Sequence, residues 1–277
     1  MESSSVSRLE LRFAVQGRGS PDTALAIAVA FNEGGATAHR GTFGYPALIS
    51  NVVSFAARRL RGESFEIDPA IPPGYLIGFI LSKVAARLRG IWLTRRVRPS
   101  VFAGQGARIK CRSKIVFQGF ANLHPGALID ALAREGVVLG AGFSLGRGAA
   151  IECTGSLKTI GKGFVAGRNV GIGSGSFLGC AGGVIIGDDT ILGNFVSIHS
   201  ENHRFERQDL PIRLQGVDHK GIRIGSDCWI GAKATILDGV VLGNHSIVAA
   251  GAVVREGTYP EGALLAGVPA RVVKMLR

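Results

Sequence analysis

Two histidines, a carboxylate and an amide fall within five residues, at His199, Glu201, Asn202 and His203. Imidazole is the side chain that titrates nearest neutrality, so either histidine could take a proton from a weak nucleophile at neutral pH. A carboxylate or carbonyl would have to hold the other ring nitrogen, and Glu201 is the nearest carboxylate in sequence. A histidine pair can also ligate a metal, which would need a third ligand such as His219 or His245. A second motif, Gly142-Phe143-Ser144-Leu145-Gly146, matches the G-x-S-x-G nucleophile elbow. It lacks the strand–turn–helix pattern which that chemistry requires.

The histidines stand in a long interruption of a regular beat. An aliphatic residue recurs at every sixth position, usually followed by Gly, as in Ile160-Gly161, Ala166-Gly167, Ile172-Gly173 and Leu178-Gly179. The beat slips near Leu157 and at Gly182-Gly183, stops between Glu201 and Gly221, and resumes at Ile224, Ile230, Ile236 and Leu242. Neither a helix nor a simple strand repeats at six, whereas a β-helix does. Three hexapeptides make one triangular coil, and about eight coils at the strand spacing of about 4.8 Å give a prism roughly 40 Å long. Ser144 lies inside the beat, so the elbow match reads as coincidence. Insertions leave a solenoid only at its corners, so residues 201–221 should form a loop outside the prism.

The other parts of the chain are less regular. Residues 1–70 form an extension with a short helix expected over Phe43 to Leu60. Residues 71–98 read as a helix, with Ile77, Ile80, Leu81, Val84, Leu88 and Ile91 at helical spacing and Lys83, Arg87, Arg89, Arg95 and Arg96 as its basic side. That helix either caps the open end of the β-helix or lies on an anionic membrane with Trp92 at the boundary. Residues 99–277 carry the repeat and end in a tail over 259–277. Four cysteines without a CxxC spacing suit a reducing compartment. The first residues lack an apolar leader, so a cytoplasmic location is expected, with the inner face of a membrane as a peripheral site. The net charge of +12 asks for an acidic partner, and no nucleic-acid module is recognisable.

The loop and the elements after it carry a resemblance. Glu201-Asn202-His203, Pro211-Ile212, Trp229-Ile230-Gly231-Ala232, Ile236-Leu237-Asp238-Gly239-Val240, Ala250-Gly251-Ala252-Val253-Val254 and Gly267-Val268-Pro269-Ala270-Arg271 resemble the hexapeptide-repeat O-acetyltransferases of the maltose and galactoside group. The likeness spans roughly residues 100–277. It implies an all-β fold, a left-handed parallel β-helix with an N-terminal helical extension. It also implies a homotrimer with acetyl-CoA bound between subunits and no resident metal.

By motif match the resemblance makes His203 the base, with Glu201 beside it and Asn202 as an acceptor ligand. Trp229, Ala232, Ala250, Arg255 and Arg271 would then line the cofactor channel. Where the family often has Thr-Lys after the Val-Val pair, this chain has Arg255-Glu256. The stretch Gly171–Gly183 lacks the acid and amide with which the galactoside enzymes hold their sugar. The extension is closer in style to those of capsule, exopolysaccharide and lipopolysaccharide acetyltransferases. The expected function is therefore transfer of an acyl group, acetyl foremost, from CoA to a hydroxyl of a sugar or glycan. Three alternatives are an N-acetyltransferase acting on an amino sugar or antibiotic, a γ-class carbonic anhydrase-like metalloenzyme, and a scaffold without activity.

Overall fold

The computed structural model describes residues 70–276, together with Asp68 and two short strands, Leu9–Glu10 and Ala30–Phe31, which pair antiparallel. The helix expected over Phe43 to Leu60 lies outside the described residues. The chain divides into two units, 1–47 and 48–277.

In the larger unit three parallel sheets form the faces of a prism. Each coil contributes one strand to each face in turn, first, second and third. The second and third faces hold seven strands each, and the first holds nine. Seven complete coils therefore stack, rather than about eight. The two further strands of the first face are Ala263–Gly267 and Ala270–Met275, which pair antiparallel. The expected tail is thus a hairpin that closes the last coil.

The hexapeptide residues fill the prism as three ladders. On the first face Leu145, Ile172, Leu192, Ile230 and Val248 lie opposite one another in successive strands. On the second, Ile151, Leu178, Ile198, Ile236 and Val254 do the same. All are buried. Burial of such side chains supplies the main driving force, at about 25 cal/mol per Å² of apolar surface. One member of the sequence beat is out of place. Ile160 is exposed, because residues 154–160 form an outward loop, and the third-face ladder runs instead through Leu139, Ala166 and Ile186.

The glycine after each aliphatic residue has a definite cause. A Cβ at Gly193 would stand 2.6 Å from the amide nitrogen of Ala232 in the next coil, and one at Gly225 would stand 2.6 Å from that of Asn244. Coils approach so closely at these corners that no side chain fits. The turn residues beyond adopt left-handed backbone, among them Asp189 (φ 58°), Asp227 (φ 53°) and His245 (φ 54°) at successive levels of one corner. His245 is therefore a corner residue, and its Nδ1 lies 2.7 Å from Asp227 Oδ2.

Helix α1, Pro73–Thr94, lies against the first strand of the first face, Val101–Ala103. A Cβ at Gly90 would overlap the Val101 carbonyl, so the helix backbone sits directly on the end coil. Arg89 donates to the Ala103 carbonyl (2.8 Å), Arg87 to that of Val97, and Lys83 to Asn122 Oδ1 (3.3 Å). The cap is thus fastened by cations taken from sequence as a solvent or membrane side. Since Ile236 is fully buried between Ile198 and Val254, Ile236→Ala should cost about 2–5 kcal/mol. The outward-facing Val241→Ala should cost well under half of that, both read from urea unfolding midpoints.

Candidate functional site

The chain leaves the prism after Ser197–His199 on the second face and re-enters at Ile222–Ile224 on the third. Both attachments are built into the core. Ser200 is fully buried; its hydroxyl donates to the Gly179 carbonyl (2.8 Å) and accepts the Gly182 N–H (3.0 Å). A Cβ at Gly182 would overlap the Ser200 carbonyl, which accounts for the slip at Gly182-Gly183. At the return, the carboxylate of Asp238, 1% exposed, accepts the Lys220 N–H (2.9 Å) and the Gly221 N–H (2.7 Å). Lys220 Nζ continues to Glu256 Oε2 at 2.6 Å.

Between these attachments the insertion is an ordered arm. Asn202–His203 pairs antiparallel with Val217–Asp218, and Arg204 closes on Asp218 at 2.6 Å. That pair holds the Asp218 carboxyl below its ordinary range, chiefly through the Arg204 hydrogen bond. Gln215 staples the tip. Its amide nitrogen donates to the carbonyls of Arg207 and Leu210 (2.7 Å each), and its oxygen accepts the Arg207 N–H (3.0 Å). Sequence reasoning gave Gln215 no part, and Asp238 none beyond membership of a motif. The signal available was a polar residue placed where the beat fails or resumes.

His203 and Asn202 lie exposed on this hairpin. Glu201 does not hold His203: no hydrogen bond or ion pair joins them among the described residues, and Glu201 Oε1 points toward Gly155, 3.4 Å from where its Cβ would be. His199 stands on the second face, its Nε2 2.7 Å from Ser197 Oγ and its ring 5.8 Å from that of Phe177. It packs there and does not approach His203 as a paired ligand. Among the described residues no group of three or more His, Cys, Asp or Glu side chains is placed to hold a metal ion. Ser144 occupies a plain strand, Phe143–Leu145.

The residues expected to line a cofactor channel stand elsewhere. Trp229 is half-exposed on the outside of the first face, level with Ile191 and Ile247 in neighbouring coils. Ala232 and Ala250 occupy successive levels of the corner between first and second faces, where the Gly251 N–H donates to the Ala232 carbonyl (2.9 Å). Arg271 lies on the closing hairpin of the first face, opposite Ala266. These four share one ledge. Arg255 does not join them, because it follows Val253–Val254 at the corner between second and third faces, on the arm's side of the prism.

The ledge has its own chemistry. One coil earlier, the Ser174 N–H is capped by Asn194 Oδ1 (2.9 Å), and at another corner Asn244 Oδ1 caps the Ser226 N–H in the same way. At levels 232 and 250 the capping residue is replaced by Ala, which carries no acceptor. The N–H groups of Asn194 and Ala232 therefore have no protein acceptor among the described residues. Beside an exposed indole they offer hydrogen bonds to a narrow ligand bearing carbonyls, or to a developing oxyanion.

A separate groove of about 380 Å³ runs along the third face, lined by glycines with Lys162, Lys220 and Arg223 on its rim. It contains none of the candidate catalytic, acceptor or cofactor residues, and it follows the corrugation that stacked glycines leave between coils. The arm's return offers a sharper test. Asp238→Ala removes the acceptor of two part-buried N–H groups, at about 1–3 kcal/mol. Its expected signature is faster amide exchange over residues 201–221 with slow exchange retained in the ladders.

Comparison with known proteins agrees with this architecture. The model of the bacterial transferase hexapeptide (six repeats) matches residues 221–256. A Mycobacterium tuberculosis protein named as an acetyltransferase is 38% identical over 32% of this chain and 29% of its own length. WbbJ of Escherichia coli K12, named as a lipopolysaccharide biosynthesis O-acetyl transferase, is 36% identical over 33% of this chain and 50% of its own. The chain thus spans half or less of either relative. Among solved structures, an N-acyltransferase from Bacillus cereus, in complex with dTDP and coenzyme A, aligns over 64% of this chain and 81% of its own at 15% identity, with a TM-score of 0.46. From the stacked coils, the corner glycines and the matched repeats, the chain is a β-helix that carries transferase hexapeptide repeats over residues 221–256 and is similar over about a third of its length to a protein named as an O-acetyl transferase.

Proposed function

We propose that the protein transfers an acyl group, acetyl foremost, from CoA to a hydroxyl of a sugar or glycan, at sites formed between the chains of a homotrimer. One observation carries this reading. The base-bearing arm leaves the corner between second and third faces, while the Trp229–Ala232–Ala250–Arg271 ledge lies on the first face and its other corner. Within one chain the prism stands between them. A neighbouring copy presenting its arm to the ledge would complete the site, and closed rotational symmetry would repeat it at each interface.

The chemistry needs little more. A thioester is already activated, so the enzyme need not form a covalent intermediate. His203 would take the acceptor's hydroxyl proton as its oxygen attacks the thioester carbon. The open N–H groups of the ledge would stabilise the resulting oxyanion or hold the pantetheine arm. As the tetrahedral species collapses, the C–S bond breaks, and the imidazolium returns the proton to the departing sulfur. Arg271 would meet the nucleotide phosphates. Asn202, on the hairpin with His203, would hold an acceptor hydroxyl. Neither Glu201 nor Arg255 is assigned a part, since one points away from His203 and the other stands off the ledge. The name of the E. coli relative supports transfer to a hydroxyl of a glycan.

His203→Ala should fold and assemble yet lose acetyl transfer by about 10²-fold or more, read by thiol release. Trp229→Ala should lose CoA binding. Refolded together, the two inactive variants should recover about a quarter of the wild-type rate, since random assembly gives that share of interfaces with both intact parts. Recovery of nothing would place the site within one chain. Ala232→Asn should restore a corner cap onto the Asn194 N–H, leaving thermal stability equal or higher. It should weaken CoA about tenfold, read by CoA-dependent shifts in melting temperature.

A further inference from the structure

Helix α1 is apolar on two sides. One side, with Leu76, Gly90 and Thr94 buried, lies on the end coil. Ile77, Leu81, Val84, Leu88 and Trp92 recur about once per turn on the other and are all exposed. An isolated exposed aliphatic residue is ordinary, but a continuous stripe along a 22-residue helix marks a contact surface. No described helix is long and apolar enough to cross a membrane, so a bilayer would meet this stripe along its length.

The charge around the stripe selects the partner. Between Asp68 and Asp130 the chain has no carboxylate at all, while it carries three lysines and seven arginines. Some of these fasten the helix, and Lys110 pairs with Asp130 (3.0 Å). Arg95, Arg96, Arg98, Arg108, Arg112 and Lys114 are exposed at this end of the prism, without a carboxylate partner among the described residues. Arg95 lies over the Trp92 ring at 5.5 Å, so the stripe ends in an aromatic–cation pair. An apolar stripe ending in an aromatic ring and bordered by unpaired cations of one sign fits the boundary of an anionic bilayer, where acyl chains receive the stripe and headgroup phosphates the arginines. A protein partner would need a matching hydrophobic groove with an acidic rim. The described face of this chain is basic throughout, so a second copy in the same orientation would repel it.

We propose that α1 and the first coil form a docking surface for an anionic lipid bilayer, which seats the prism by its N-terminal end. The sequence left capping and membrane contact as rival readings of one helix. The structure separates them by face, because the cap uses the side bearing Leu76 and Gly90 and leaves the stripe free.

The test is co-sedimentation of the full chain with two vesicle preparations, phosphatidylcholine alone and phosphatidylcholine mixed in equal parts with phosphatidylglycerol. Binding is expected to the mixed vesicles, with weakening as salt rises. It is expected to fall by about tenfold or more in the triple variant Leu81→Gln, Leu88→Gln, Trp92→Gln, the scale of removing several apolar side chains from the boundary. Circular dichroism and an unchanged melting temperature would show that the variant is folded. Equal binding of the variant and the wild type would overturn the proposal, as would absence of wild-type binding to the mixed vesicles. A change in oligomeric state without a change in vesicle binding would assign the stripe to another copy. None of these readouts depends on the identity of the acyl acceptor.

Discussion

Every coil of this protein must land on the previous one with its backbone in hydrogen-bond register, and the corners decide whether it can. At Gly193 and Gly225 the next coil passes so close that a methyl group would collide with it. The beat of six follows from that constraint, because an aliphatic residue must face inward just before each corner, and where the next coil passes this close nothing larger than hydrogen can follow it. Stacking then contributes cooperatively, each coil burying the ladder of its neighbour. Polar residues enter the interior only where they satisfy the corners. Thr190 does so by donating to the Gly225 carbonyl (2.8 Å) and accepting the Cys228 N–H (3.1 Å).

Functional features arise where the rule is relaxed. Replacing a capping Asn by Ala at levels 232 and 250 keeps the fold and uncovers backbone donors beside Trp229. Breaking the beat after Ile198 lets the chain leave, and buried Ser200 and Asp238 close the two openings this makes in the core. The chemistry is therefore concentrated at departures from a repeat whose regular parts supply rigidity.

The sequence made the regular parts legible. A period of six, with Gly after the aliphatic residue, leads directly to three-faced coils. Ile160 misled because spacing alone does not show whether a residue in phase is also in the strand; the loop over 154–160 carries it outward. His203 and Trp229 could be singled out by type and motif. Glu201 could not be placed, since nearness along a hairpin does not set the direction of a carboxylate. The corner that Arg255 occupies was hidden for a related reason. Which corner a residue occupies depends on counting strands around the prism, and the slips at Leu157 and Gly182 obscure that count. The two sides of α1 could not be told apart in sequence, because its cations are long enough to reach polar atoms of the coil beneath, a use of Lys and Arg that hydrophobic periodicity does not register.

The arm's two attachments have a consequence for how such a protein can change. Ser200 and Asp238 sit one coil apart on the same corner, and every bond that shapes the tip, from Arg204–Asp218 to the Gln215 staple, is internal to the arm. A closed insertion of this kind adds loop entropy only slowly with length. The prism is thus indifferent to what the arm contains, provided a buried hydroxyl marks its departure and a buried carboxylate its return. The arm can be exchanged as a cassette while the ledge stays fixed on another face. One scaffold can in that way carry many different arms without re-solving the packing of its core.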